Sequence, residues 1–397
     1  MHLAAQSFFL CIAGGKDMKN ISHDSLKQTG LFISIAVIWL IIGWVLRGLI
    51  IPNEMTLVDE VKQIIQRDSP DVSISEDALD FAAARGMVSS LDDPFAVVIP
   101  PPSSLKFDAD FAGQTGVVGL VPNVNDSGQL YIETVVAEGP GDLAGVQVGD
   151  ILISIDGIPV DATTTVTGSA LLFRGPVGEA AELVVQRGDE TLTFAPKRIE
   201  RVALAWEILD NDIGYIAQYT FTTNVPDLFE EALTEIVAAN PRAIIWDVRF
   251  NGGGSMMVAQ EVLSHFVADG ELFQVVLKDD ETRLFAATGD ATAPEIPLYV
   301  LVNEFTFSAA ETVAATIDER GRGTTIGSTT FGKGTVQNTV KLQDDYLFEY
   351  SIGHWFTPAG VSYEGAGFTP AVMAPDNPDT RNDETIDAAL QLIERDH

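Results

Sequence analysis

Residues 297–337 read PLYVLVNEFTFSAAETVAATIDERGRGTTIGSTTFGKGTVQ. The apolar run 298–302 has the length and composition of a buried strand. It ends at Asn303-Glu304, and a helical pattern begins near Ser308 and stops around Gly321. A second apolar-to-turn segment then delivers Lys333 between two glycines. One serine therefore sits where a strand turns into a helix, and one lysine sits in a glycine-flanked turn. We read the pair as a nucleophile and its general base.

Each residue also has a plainer reading. Ser308-Ala309-Ala310-Glu311 is a capping box, which ties off free N–H groups at a helix start. Lys333 alone reads as a solvated turn lysine. The catalytic reading has physical content as well. A helix N-terminus presents unpaired N–H groups that stabilise a developing oxyanion, and Ala309 N–H is placed for that. A serine hydroxyl needs a neighbouring base, and no histidine lies in this stretch. Among apolar neighbours that offer no carboxylate, Lys333 is expected to have a lowered pKa and to accept the serine proton when neutral.

A second oxyanion donor should come from another loop. Asp247-Val248-Arg249-Phe250-Asn251-Gly252-Gly253-Gly254 supplies three glycines directly after a strand pattern. These allow positive φ and close approach to a substrate carbonyl. The G-x-x-x-x-G-K-[ST] spacing of a phosphate loop is absent.

Working outward, residues 201–397 alternate strands and helices. Strands are expected at 212–219, 243–248, 272–278 and 297–302, and helices over 225–240 and 258–267. This order argues for a mainly parallel sheet with its active-site loops at the carboxyl ends of the strands. Residues 346–360 read as additional antiparallel strands. Residues 107–200 differ, with short strands expected at 116–121, 130–136, 150–160 and 181–188, broken by Gly, Asp and Asn. Helices are expected within 54–91, stopping at Asp92-Asp93-Pro94, and Pro100, Pro101 and Pro102 form a stiff connector.

The apolar run at 31–51 matches the length of about 20 residues that crosses a bilayer. Lys16, Lys19 and Lys27 precede it and favour an N-terminus on the inside. A cleaved signal peptide is the rival, but no small-x-small site follows Ile51. The expectation is a single-pass anchor in the cell membrane, with residues 52–397 extracytoplasmic, either periplasmic or extracellular.

Asp and Glu number 57 against 23 Lys and Arg, a formal charge of −34, which argues against nucleic acid as a partner. The single cysteine, Cys11, forms no intramolecular disulfide, and the five histidines form no HExxH spacing. No cofactor or metal is expected.

The segment EGPGDLAGVQVGD (138–150) resembles a PDZ domain in its Ala144-Gly145 and Gly149-Asp150 pairs, followed by Ile151 and Ile155-Asp156-Gly157. A PDZ module binds a peptide C-terminus by strand addition. The resemblance places its carboxylate-holding loop at Gly116, Val117, Val118 and Gly119.

Taken in order, further motifs accumulate: Ser90-Leu91-Asp92-Asp93-Pro94-Phe95, Asp247-x-Arg249-x-Asn251-x-Gly253-Gly254 and Val302-Asn303-Glu304. They continue through Ser308-Ala309-Ala310-Glu311, the run from Thr330 to Gln337, and Phe356-Thr357-Pro358-x-Gly360. From about Leu57 onward the chain resembles the carboxyl-terminal processing peptidases, or tail-specific proteases. The resemblance implies an α/β, crotonase/ClpP-like catalytic core at 201–397, a PDZ domain at 106–200 and an N-terminal helical region at 52–105. It implies Ser308 as nucleophile, Lys333 as base and Gln337 as the residue that orients the lysine. A helix over 333–337 would put both side chains on one face. Ala309 N–H and an amide of Gly253 or Gly254 would form the oxyanion site.

Two departures stand out. Phe305-Thr306-Phe307 precedes the nucleophile where many members carry small residues, and Gly252 stands where proline is frequent. The expected partners are polypeptides with free C-terminal tails; a homo-oligomer or an activating adaptor protein is also open. Two alternatives stay in play: a catalytically silent PDZ scaffold, and a Ser-His enzyme using His354.

Overall fold

The computed structural model describes residues 37–39, 56–69, 74–101, 103–161, 164–289, 291–377, 380 and 382–396. The expected membrane span lies outside the described residues, except for helical 37–39, and so does Cys11. Among the described residues no helix is long and apolar enough to cross a membrane.

The chain divides into two units, Met1–Asp80 and Phe81–His397. In the first, helix α1 (Leu57–Asp68) is capped by Thr56, whose hydroxyl accepts the Asp59 N–H at 3.2 Å. Helix α2 (Glu76–Val88) begins there and continues into the second unit, ending just before the Asp92-Asp93-Pro94 stop.

The second unit opens with a surprise for the region read as helical. Strand β1 (Val97–Ile99) pairs antiparallel with a strand near the far end of the chain, Glu349 opposite Val97. Helix α3 (Ser103–Phe111) and the two-residue strand β2 (Gly116–Val117) follow. The PDZ sheet then forms from β3 (Leu120–Val124), β4 (Leu130–Val135), the short helix α4 (Pro140–Leu143), β5 (Ile151–Ile155) and β6 (Ile158–Pro159). Helix α5 (Val166–Phe173), β7 (Leu183–Arg187) and β8 (Glu190–Phe194) complete it. The strand order is β3-β4-β5-β7-β8, so β3 is an edge strand, and α5 packs beside it. Ile132, Ile155, Leu183 and Val185 fill the core. Strand β9 (Ile199–Glu200) pairs with β2.

The catalytic-core candidate is built on β10 (Leu204–Leu209), β11 (Ile213–Gln218), helix α6 (Val225–Ala238) and β12 (Ala243–Asp247). Helix α7 (Met256–Ser264), β13 (Glu271–Leu277), β14 (Thr282–Ala286) and β15 (Leu298–Val302) come next. Helix α8 (Ala309–Glu319), β16 (Thr324–Gly327), β17 (Thr335–Lys341), β18 (Leu347–Phe356), β19 (Val372–Met373) and helix α9 (Glu384–Asp396) close the chain.

One sheet runs β10-β11-β12-β15-β16-β19 and is parallel from β11 onward. Every residue of β12 and β15 is buried, as expected for parallel strands covered on both faces. Trp246, Phe229 and Phe266 anchor the core against α6, α7 and α8, while α9 covers other positions through Ala389 and Ile393. A second sheet, β1-β18-β13-β14 with β17 on β18, is antiparallel. The loops that leave the carboxyl ends of β12 and β15 carry the candidate site, where α/β folds place theirs.

Candidate active site

Beyond β15 the chain turns at Asn303, whose side-chain oxygen accepts the N–H groups of Phe250 and Phe305, each at 3.1 Å. Thr306 donates its hydroxyl to Val248 O at 3.0 Å, and Phe307 N–H reaches Asn251 O at 3.0 Å. The turn is thereby stitched to the glycine loop. Ser308 follows with φ +53° and ψ −118°. A non-glycine residue held at positive φ costs on the order of 1–3 kcal/mol, and such strain clusters at functional sites. Helix α8 starts at Ala309, whose amide has no hydrogen-bond partner among the described residues.

The glycine loop is pinned at its base. Arg249 is buried and its guanidinium binds Asp247 at 2.7 Å, Asp376 at 2.8 Å and Asp383 at 2.8 Å. Burial is the largest single influence and lowers its pKa, but Asp247 and Asp383 outweigh it and hold the group above the ordinary arginine value. Asn251, fully buried, donates to Gln218 O and accepts Gly253 N–H, both at 2.8 Å. Gly253 has φ +82°, and a Cβ there would sit 2.9 Å from Phe307 O and 3.1 Å from Ala309 N. The motif thus lays the glycine backbone directly on the Ser308 turn. The expectation for the Gly253 amide needs correcting: in this structure Asn251 already occupies it. Gly254 lies opposite Phe221 in a parallel bridge whose hydrogen bonds run through Gly253 O and Ser255 N–H, each at 2.9 Å, so its own N–H has no partner among the described residues.

Lys333 reaches the site through its backbone. The fully buried Glu311 carboxylate accepts Gly332 N–H at 2.6 Å and Lys333 N–H at 2.8 Å. It also accepts the Thr330 hydroxyl at 2.6 Å and Ser308 N–H at 2.8 Å. One side chain therefore bridges the serine turn and the lysine turn. Burial pushes the Glu311 carboxyl above its ordinary value, opposed by these four donors. Gly332, at φ +95°, lets the lysine turn pass within contact of Gly367; a Cβ there would lie 2.7 Å from Gly367 N.

The lysine ammonium lies 4.3 Å from the centre of the Phe95 ring, a cation–π contact. Burial lowers its pKa, as expected, while Glu349, Asp93, Glu311 and Glu364 pull the other way. Its sequence neighbours offer no carboxylate, but the fold supplies four. Glu349 is itself pushed up by burial and drawn down by Lys333. Among the described residues no hydrogen bond joins Ser308 to Lys333.

The condition that would put Lys333 and Gln337 on one helix face is not met, because residues 335–341 form a strand. Gln337 belongs to β17, where it pairs with Ser351 across the ladder to β18. Its side chain donates to Thr335 Oγ1 at 2.9 Å and Ser351 Oγ at 3.1 Å. Ser351 in turn donates its N–H and hydroxyl to Asp93 at 2.8 and 3.0 Å. Gln337 thus joins the Asp93 network, and the lysine's close neighbour is Phe95. Sequence reasoning missed Asp93, Phe95 and Glu349 as parts of the lysine's surroundings. The 90–95 motif was the available signal for the first two. His354 stands on β18 with its Nδ1 3.8 Å from a Glu364 oxygen, and nothing ties it to Ser308.

Aromatic rings flank the serine turn. Phe305 stacks on the exposed Phe250 at 5.6 Å, and Phe307 on the exposed Phe331 at 4.1 Å.

In the PDZ domain, Gly116 and Val117 are committed to β2, and Gly116 N–H donates to Gly175 O at 2.7 Å. That removes them from the expected loop. Val118 and Gly119 remain in it, directly ahead of β3, with their carbonyls accepting Gly141 N–H at 2.8 Å and Val136 N–H at 2.9 Å.

The fold and these loops define an α/β peptidase-like core joined to a PDZ domain. Residues 212–374 match the model of peptidase family S41, and residues 131–187 match that of a PDZ domain. The carboxy-terminal processing protease CtpB of Bacillus subtilis (strain 168) is 30% identical over 309 residues, covering 74% of this chain and 63% of that protein. The chloroplastic carboxyl-terminal-processing peptidase 2 of Arabidopsis thaliana is 28% identical over 306 residues, 73% of this chain and 59% of that one. The match thus spans less than two thirds of either relative's length. The solved structure of a photosystem II D1 C-terminal processing protease shares the fold, with a TM-score of 0.61 and 24% identity over 82% of this chain and 89% of that chain. Residues 212–374 are thus a peptidase family S41 region, and residues 131–187 a PDZ domain.

Proposed function

We propose that this protein is a serine endopeptidase that cuts polypeptides near free C-terminal tails, with Ser308 as nucleophile and Lys333 as base. The observation that carries the reading is the Glu311 bridge. It holds a strained serine at a helix N-terminus and a desolvated lysine in one hydrogen-bonded unit.

Neutral Lys333 takes the proton of Ser308 Oγ as that oxygen bonds to the scissile carbonyl carbon. The carbonyl oxygen becomes an oxyanion, held by Ala309 N–H and an amide of the 252–254 loop. Collapse breaks the C–N bond, and Lys333 returns its proton to the leaving amine. Water, deprotonated by Lys333, then attacks the acyl carbon, the ester C–O bond breaks, and Lys333 returns the proton to Ser308 Oγ. For the first step the lysine side chain moves from the Phe95 face towards Ser308, a rotation about flexible bonds; catalytic contacts are often loose before substrate binds. The Phe250, Phe305, Phe307 and Phe331 rings suit apolar, extended substrate segments. Val118 and Gly119 have amides without partners among the described residues, which suits them to a tail carboxylate. Residues 31–51 would anchor the enzyme in the membrane with its site extracytoplasmic.

The silent-scaffold alternative draws on the absence of a Ser308–Lys333 hydrogen bond. Cleavage of an unfolded protein with an apolar tail decides between them. The full chain is expected to cleave it, and folded Ser308→Ala and Lys333→Ala variants are not. Undiminished turnover by Ser308→Ala would overturn the assignment.

A further inference from the structure

Strand β3 pairs on one side only, with β4. In such a ladder, residues alternately turn their N–H and C=O groups towards the partner and towards the open edge. Gly119 O accepts Val136 N–H at 2.9 Å, so Leu120, next in line and opposite Val135, faces the open edge. The register slips between Val121 and Pro122, and Pro122 then stands opposite Ile132. Ile132 spends its N–H on Asp150 O at 2.9 Å and its C=O on Gly149 N–H at 2.8 Å, both away from β3. Pro122 therefore also faces the open edge, where proline has no hydrogen to donate. Two residues on, Val124 would face the same way. Its N–H is occupied by Asn123 Oδ1 at 2.7 Å, and the Asn123 amide is held by Glu133 Oε1 at 2.8 Å.

From these three positions we infer that Pro122 and Asn123 cut the peptide ladder short, so that the PDZ groove grips only about the last three residues of a tail. The inference rests on the tail-binding reading above. Leu120 is then the only strand donor available to a guest, beside the loop amides of Val118 and Gly119. Residues further from the tail's end meet a strand with a carbonyl at Pro122 but no donor to complete the pairing. Selection of substrates accordingly depends on the tail's final residues and carboxylate, with little demand on what precedes them. The same two features protect the edge from pairing with another chain.

The test uses the full-length chain carrying Ser308→Ala. Its probes are acetylated peptides of two, three, four, six and eight residues. They are randomised except for a mixture of apolar residues at the end, each with a free carboxylate. Affinity is expected to rise to three or four residues and then level off. In Pro122→Val, which restores a donor, and in Asn123→Ala, which frees the Val124 amide, affinity is expected to keep rising, by about three- to tenfold per regained bond. Circular dichroism establishes folding, and Asn123→Ala alone suffices if Pro122→Val misfolds. A length dependence unchanged by the folded variants overturns the inference. Failure of every peptide to bind the parent chain instead refutes tail binding itself.

Discussion

The carboxylate of Glu311 accepts the backbone N–H of Lys333 at 2.8 Å, across a gap of 22 residues in the chain. Through its other bonds the same group holds Ser308, Thr330 and Gly332. The short sequence Ser-Ala-Ala-Glu thus does more than start a helix.

Replacing Glu311 with alanine leaves three backbone N–H groups and a hydroxyl without their acceptor. Each unsatisfied buried donor costs about 1–3 kcal/mol. The expected result for Glu311→Ala is a loss of about 4 kcal/mol or more in stability, measured by denaturant titration. A fall in kcat larger than any change in KM is also expected, because the two turns lose their common brace. Wild-type kcat in a folded Glu311→Ala protein would sink the bridging role.

The pH dependence of cleavage should follow Lys333. The base acts when neutral, so activity rises with pH through its pKa. Burial sets that pKa below the ordinary lysine value, so the rise falls at lower pH than a solvated lysine would give. Glu349, Asp93, Glu311 and Glu364 each favour the charged ammonium. Glu349→Gln removes one of them, and the rising limb of kcat/KM is expected to move to lower pH. A limb that moves to higher pH contradicts this placement. Lys333→Arg is expected to be inactive across the range, since arginine does not deprotonate.

Gly253 is poorly placed to accept a side chain. Its φ of +82° disfavours L residues, and a Cβ would crowd Phe307 O and Ala309 N. Gly253→Ala is expected to cost about 1–2 kcal/mol and at least tenfold in kcat/KM, because the crowded atoms belong to the serine turn. A progress-curve assay beside a thermal melt separates the two effects. Intact activity in a destabilised protein would place the oxyanion donors elsewhere.

Much of the fold was legible locally. The apolar runs at 243–247 and 298–302 are strands buried along their whole length, and the amphipathic pattern after Val225 is helix α6. The break at Gly116–Val117 and the edge strand after it were merged into one expected strand, because two residues of loop between apolar positions carry little signal. Strand β1 was missed for a different reason. Three residues define no period, and its hydrogen bonds come from residues 347–349. The 333–337 segment differs again. Its spacing permits a helix, but the β-branched residues Thr335, Val336, Thr339 and Val340 pair with β18, and that hairpin decides the conformation.

By itself the sequence determined the chemical cast: a serine opening a helix, a lysine between glycines, a glycine loop after a parallel strand, and a PDZ pattern. Only the tertiary structure decided what surrounds them. Lys333 rests on Phe95 and feels Asp93 and Glu349, residues from distant parts of the chain, and Gln337 turns to Ser351. Hydrogen bonding and charge act through space, so a lysine's basicity depends on what folding brings beside it, which its neighbours in sequence do not reveal.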